Sequence, residues 1–361
     1  MAQFFEDLNV IRYAVVGTGW ISQTAFIPAV SLLENAVVTA LVSGNPERAR
    51  QLANKHGIEH VCSYEDFDEL LASDLIDAVY VAVPNPLHAT YAIQAAKAGK
   101  HVLVEKPIAT SLPDADAMIA TAQAAGVSLM TSYRLHHDVG TIAALQAVRE
   151  GRIGQPVFMS ATFSFQSDIG NHRLDVEHWG GPLQDIGIYC INAARHVFES
   201  DPIAVSAMST RRAGDPRFAN VDDSIAVTLR FPGDRLAQFY CSFGAYPVDT
   251  YQIVGTDGVL NMDPGFRFEH AMAMSLKSRD ENEYVHFPLY DHFAGQISYF
   301  SDCIEQGKAP QPCGEEGLAD LEILFAIERA AASGLPQTLL PKKSRARPSE
   351  ETLRTIKRAV A

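Results

Sequence analysis

Long apolar runs are missing from this chain of 361 residues, and its opening, MAQFFEDLNV, has no basic start followed by an apolar core. Neither a membrane-spanning helix nor an export signal is expected. Cysteine is scarce: Cys62, Cys190, Cys241, Cys303 and Cys313 are odd in number, scattered and without a CxxC pair. That argues against a disulfide framework or a zinc knuckle and for a reducing, cytoplasmic setting. Positive charge is short as well, with 29 basic against 43 acidic side chains and a net charge of -14. Such a surface repels phosphate backbones and anionic lipid, so nucleic acid and membrane are not expected partners. His136 and His137, being adjacent, point in different directions, and no metal site is expected.

What the chain does contain is length for two domains, with 47% hydrophobic and 20% charged residues of an ordinary globular protein. From Ile11 to about Arg134, short β-branched runs such as IRYAVV, VVTALVS, AVYVAV, HVLVEK and SLMTSY alternate with helix-like segments over 20–34, 46–56, 87–98 and 113–125. Strands apolar on both faces and separated by helices predict a doubly wound parallel sheet, an α/β domain over residues 8–135. After a helix near 139–150 the texture changes to period-two segments, PVFMSATFSF, SIAVTLRF, LAQFYCSFGA and YQIVGT, with turns at Gly233, Asp257 and Asp263. They predict an α+β domain over 136–340 with a large, mostly antiparallel open sheet. The helix 314–334 carries Leu318, Leu321, Leu324, Phe325 and Ile327 at helical spacing and reads as core packing. Residues 341–361 form a basic tail.

VVGTGWIS sets Gly17 and Gly19 between the first strand and its helix, where one makes the tight turn and the other admits a pyrophosphate; Thr18, Trp20 and Ile21 complete the loop, and small Ser22 stands at the third glycine place. The second strand ends not in the carboxylate that would grip the 2'-hydroxyl of NAD but in Ser43, Gly44 and Asn45, followed by Arg48. Those residues suit a 2'-phosphate, so NADP is expected before NAD. Pro84, Asn85 and His88 end the next strand, and Glu105 with Lys106 ends the one after, at the sheet edge where open α/β folds bind ligands. A lysine there serves no packing purpose and is expected to face a nicotinamide and substrate. Farther on, Asp185, Tyr189, Asn192 and His196 recur every three or four residues, a stripe that either meets a small ligand or lies in water opposite apolar Ile186, Ile188, Ile191 and Ala194.

Taken together, VVGTGWIS, VPNPLHATYAIQAAKAGKHVLVEKPIA and GGPLQDIGIYCINAAR resemble the glucose-fructose oxidoreductase, inositol dehydrogenase and MocA family, nearest its glucose-fructose oxidoreductase branch, and NMDPG and the 314–336 segment extend the likeness. The resemblance implies a Rossmann domain followed by an open-sheet domain whose face makes a homo-dimer or homo-tetramer. It also implies hydride transfer between nicotinamide C4 and a carbinol or carbonyl carbon of a sugar or polyol. Lys106 matches the active-site lysine, Asp185 the substrate-binding carboxylate and Tyr189 the proton-transferring position. Arg173 matches an arginine near the nicotinamide, and Tyr133, Arg134 and Trp179 fall on substrate-side segments. Trp179 replaces the first of three usual glycines, and His172 stands where that branch has tryptophan. An NADP-dependent aldose dehydrogenase or sugar reductase is the first expectation. A dihydrodiol or cyclitol dehydrogenase, or a non-catalytic NADP-binding regulator, is the alternative; a regulator has no need of Lys106, Asp185 and Tyr189 together.

Overall fold

The computed structural model describes residues 10–340 and 347–358, so 341–346 and 359–361 of the basic tail lie outside the described residues. Two compact units divide the chain. In the first, β1 (Ile11–Val16), β2 (Ala36–Val42), β3 (His60–Cys62), β4 (Ala78–Val81), β5 (His101–Glu105) and β6 (Leu129–Ser132) form a parallel sheet of order β3-β2-β1-β4-β5-β6. Every residue of β4 is buried, as are Val102, Leu103 and Val104 of β5, which explains why these strands are β-branched rather than alternating. The crossovers carry α1 (Ile27–Val30), α2 (Pro46–His56), α3 (Phe67–Leu71), α4 (His88–Lys97) and α5 (Leu112–Ala125). The strand order reverses between β1 and β4, and the ligand crevice of such sheets opens at the carboxyl ends of those strands.

The first helical stretch differs from the regular helix expected over 20–34. Residues Ser22–Phe26 are a π-helical turn before α1, and the helix ends at Val30. The unit also takes in 290–317, including α8 (His292–Glu305), and 352–358, although the sequence suggests a first domain continuous over 8–135. Pairings far apart in sequence cause this: Tyr13 bonds Ser301 through its hydroxyl at 2.9 Å, and Met130 bridges Cys313.

The second unit holds α6 (Val139–Arg149), β7 (Pro156–Ser164), α7 (Ile188–Val197), β8 (Ala204–Thr210), β9 (Ser224–Phe231), β10 (Arg235–Ser242), β11 (Val248–Gly255), β12 (Gly258–Met262), β13 (Ala273–Ser278), β14 (Asn282–His286), most of α9 (Gly314–Ser333) and β15 (Gln337–Thr338). Its nine strands order as β14-β13-β12-β11-β7-β10-β9-β8-β15, antiparallel except where β10 pairs with β7. Phe163 of β7, Val227 of β9 and Phe239 of β10 face the core, while Gln238 and Tyr240 face outward. A π-helical turn, Leu183–Gly187, leads into α7 and packs on β7 and β10. Gly187 permits this approach, since a Cβ there would meet Cys241 Sγ at 3.1 Å.

Helix α7 is anchored by ion pairs. Fully buried Arg195 donates to Asp201 Oδ1 at 2.8 Å and Asp320 Oδ1 at 2.6 Å, and Asn192 donates to the other oxygen of Asp320 at 2.8 Å. The stripe read as amphipathic is therefore buried: from Ile188 to Val197 only Ala193 is not. Removing one member of a buried pair strands the other, which costs about 3–5 kcal/mol. Asp320→Ala should destabilise the second unit by about that amount, read as a fall in its urea unfolding midpoint.

Candidate active site

In the first unit the glycine loop follows β1. Gly17 has φ of 97°, and a Cβ on it would lie 2.5 Å from the carbonyl oxygen of Ala82, so only glycine fits. The loop is laced from beneath. Ser22 donates its hydroxyl hydrogen to Gly17 O at 2.7 Å, filling the third glycine place, and Gln23 Nε2 donates to Thr18 O at 2.6 Å. Gly19 differs from Gly17: it is exposed, and nothing lies within 4 Å of where its Cβ would be. This open space above the start of a helix fits a pyrophosphate. Trp20 is 52% exposed beside it and Ile21 is half-buried.

At the end of β2 the hydroxyls of Ser43 and Thr18 lie 2.9 Å apart, so Ser43, itself buried, braces the loop. Asn45 caps α2 by accepting the Arg48 N–H at 3.0 Å. Gly44, Asn45 and Arg48 are exposed, and none of the four positions is a carboxylate.

Pro84 is exposed and Asn85 opens a short 3-10 turn. His88 proves different from a ligand contact. It is buried, with Nδ1 2.8 Å from Pro107 O and Nε2 3.0 Å from Val83 O. Burial lowers its pKa against the pull of those carbonyls and of Glu105. Its ring thus joins the segment after β4 to the segment after β5 from behind the crevice edge.

Glu105 and Lys106 stand at that edge. Glu105 Oε1 accepts hydrogen bonds from Tyr80 at 2.7 Å and Ser132 at 2.8 Å, and Gln296 of α8 donates to Ser132 at 2.9 Å. Glu105 Oε2 accepts the Lys106 N–H at 3.3 Å. The carboxylate is engaged inside the protein, which makes it a brace for the lysine's backbone. Tyr133 and Arg134, expected on the substrate side, are buried; an Arg134 N–H lies 3.2 Å from His292 Nδ1, and His292 Nε2 lies 2.9 Å from Asp138.

In the second unit Asp185 sits in the π-helical turn and Tyr189 in the first turn of α7. Arg173 Nε donates to Asp185 Oδ2 at 2.7 Å, so the arginine expected near the nicotinamide grips the carboxylate expected at the substrate. Tyr189 is 8% exposed, its ring centroid 6.0 Å from that of Phe163. Trp179 takes the left-handed conformation, φ 51°, which costs an aromatic residue about 1–3 kcal/mol. Its ring stacks on Phe325 of α9, and its Nε1–H donates to Glu328 Oε1 at 3.0 Å. Glu328 carries no signal of its own in the sequence, being one of several acidic residues in a helix that reads as core packing. Ser132, Tyr80 and Gln296 were hidden likewise in apolar strands and a helix.

The profile described as "Oxidoreductase family, NAD-binding Rossmann fold" matches residues 11–133, and the GFO/IDH/MocA C-terminal domain matches 141–261. The chain belongs to the GFO/IDH/MocA oxidoreductase family, as the motifs suggested. Among its relatives, a D-xylose 1-dehydrogenase [NADP(+)] of Haloarcula marismortui is 31% identical, with 90% of this chain and 91% of the relative covered. Among solved structures, the aldose-aldose oxidoreductase of Caulobacter crescentus, complexed with glycerol, superposes with TM-score 0.86 at 33% identity over 91% of this chain and 100% of that one. A 3-ketoreductase from Actinomadura kijaniata in complex with NADP and TDP-benzene gives TM-score 0.81 at 28% identity over 89% and 98%.

The two loop glycines make separable predictions. Gly17→Ala should lower stability and abolish dinucleotide binding together, because its methyl meets backbone. Gly19→Ala should leave the unfolding midpoint within experimental error while weakening dinucleotide affinity about tenfold or more in a fluorescence titration, because its methyl meets only the ligand.

Proposed function

We propose that this protein is an NADP-dependent oxidoreductase acting between the alcohol and carbonyl states of a sugar carbon, as an aldose dehydrogenase or sugar reductase. The observation that carries the reading is the Lys106 placement, braced by Glu105 at the carboxyl edge of β5 in the sheet whose first loop has the open space over Gly19. Bound NADP would supply the hydride acceptor, and its reduced form the donor, that no side chain provides. Gly17, Thr18, Gly19, Trp20 and Ile21 would hold its pyrophosphate. Gly44, Asn45 and Arg48 would meet its 2'-phosphate, with Ser43 bracing the loop. Pro84 and Asn85 would line the nicotinamide side.

Lys106 is assigned to a hydrogen bond with the reacting oxygen, and Asp185, steadied by Arg173, to a neighbouring sugar hydroxyl. Tyr189 is assigned the proton: in reduction its O–H proton passes to the carbonyl oxygen as the carbon gains hydride, and in oxidation the tyrosinate takes the hydroxyl proton back. The names of the relatives support a sugar as substrate, since one is a xylose dehydrogenase and another an aldose-aldose oxidoreductase.

Two further assignments belong to this reading. All five cysteines are free thiols, which suits a reducing, cytoplasmic setting. The outer face of the second sheet carries an uncharged row, Ser206, Thr228, Gln238, Ser160, Gln252, Asn261, Ser275 and Tyr284, paired register by register across eight strands. A wet face without charges along its centre suits contact with a second copy, and a homo-dimer or homo-tetramer through it is the assembly proposed.

The test is absorbance at 340 nm with NADP and NAD offered separately against aldoses, polyols and diols. Turnover of a sugar with NADP is expected; tight NADP binding with no turnover in either direction would replace this reading with a regulator. Tyr189→Phe and Lys106→Ala should each lower kcat by roughly 10²–10⁴. Tyr189→Phe with near-normal turnover would remove the proton from that residue. Arg48→Ala should raise the KM for NADP about tenfold and leave that for NAD unchanged.

A further inference from the structure

Glu328 has no role in the chemistry above, yet one of its oxygens holds the turn that does. Its Oε1 accepts from Trp179 Nε1 at 3.0 Å and from Gln184 Nε2 at 2.7 Å. Burial raises the pKa of this carboxyl, and both donors oppose that rise. Trp179 closes the turn and Gln184 immediately precedes Asp185, so α9 grips both ends of the segment between them. The turn itself leaves no slack: Gly180 N–H donates to Asp175 O at 2.9 Å and Gly181 N–H to Arg173 O at 2.9 Å. A Cβ on Gly180 would lie 2.4 Å from Arg173 O, so displacement of Trp179 moves Arg173. Arg173 in turn holds Asp185. The left-handed backbone at Trp179 is held by these main-chain bonds and by its ring, fixed between Phe325 at 5.4 Å and Glu328.

We propose that Glu328 is a positioning residue which, through Trp179 and Gln184, sets the Arg173–Asp185 pair for substrate and so governs substrate affinity rather than cofactor affinity. The substrate half of this rests on the function proposed above; the positioning half does not. The chain has two tryptophans, and exposed Trp20 serves as an internal reference in ¹⁵N spectra of the indole N–H groups. In Glu328→Leu the Trp179 resonance should move toward that of Trp20 and exchange its proton about tenfold faster or more. Limited trypsin should then cut after Arg173 about fivefold faster, with the products identified by mass. Glu328→Gln keeps an accepting oxygen and should stay within about twofold of the parent on both counts. With sugar, Glu328→Leu should raise KM about tenfold, hold kcat within about threefold and leave the KM for NADP unchanged.

An unmoved Trp179 resonance, unchanged cleavage after Arg173, or a loss shared equally by kcat and NADP affinity overturns the proposal. If Glu328→Leu does not fold, Phe325→Ala, which removes the stacking partner and keeps the carboxylate, must give the same selective cleavage; its failure to do so also overturns it. A parent protein that turns over no sugar defeats the proposed function alone, because the indole and trypsin measurements still decide the positioning.

Discussion

A carboxylate at the edge of a buried parallel sheet is tolerated only where donors reach it, and Glu105 is the point from which the first unit's site is organised. Tyr80 comes to it from β4 and Ser132 from β6, the two strands flanking β5, so one oxygen ties three strand ends together. A charged group left without such partners would cost several kcal/mol, which makes the three side chains mutually dependent. The same network reaches the glycine loop, because the Tyr80 ring lies flat on Phe26 at 3.7 Å and Phe26 ends the π-helical turn after that loop. Loop and lysine are therefore held by one set of contacts, and His88 locks Pro107 and Val83 from below. The Glu-Lys pair that ends an apolar strand is explained: the glutamate is there to fix the lysine.

The second unit reaches rigidity by another route. Arg195, with Asp201 and Asp320, pins α7 inside the protein, and the helix that carries Tyr189 is held by charge as well as by packing. Both π-helical turns lie beside candidate ligand groups, one directly after the glycine loop and one around Asp185. A wider turn widens the local helix without breaking it, and such turns concentrate at functional sites because they re-aim side chains that a regular helix would space differently.

Local pattern made much of this legible. The strand and helix alternation, the two-domain plan and the motif positions follow from periodicities of a few residues, and β2, β5, α2, α5 and α6 fall within a residue or two of their expected bounds. Contacts across long separations were not legible. Nothing near Asn192 or Arg195 announces Asp320, more than a hundred residues away, so the sequence leaves the polar stripe open between a ligand and water, whereas its Asn192 is buried and satisfied by Asp320. The return of 290–317 to the first unit is hidden for the same reason. Among the candidate site residues, motifs point to Gly17, Lys106, Asp185 and Tyr189, but sequence does not separate residues that would face a ligand from those that brace them. Glu105, His88 and Ser43 belong to the second kind once their hydrogen bonds are seen.

A net charge of -14 sits oddly with a cofactor that itself carries several negative charges. Range resolves the conflict. At physiological ionic strength charges farther than about 8 Å apart are largely screened, so what decides binding is the immediate lining rather than the sum over the surface. There Gly44, Asn45 and Arg48, none of them a carboxylate, are exposed at the end of β2, and a helix start faces the space over Gly19. Glu105, at the carboxyl edge of β5, is turned inward onto two hydroxyls and a main-chain N–H. The inward turn of Glu105 that braces the Lys106 backbone is also what directs its charge onto donors inside the protein and away from a ligand at that edge.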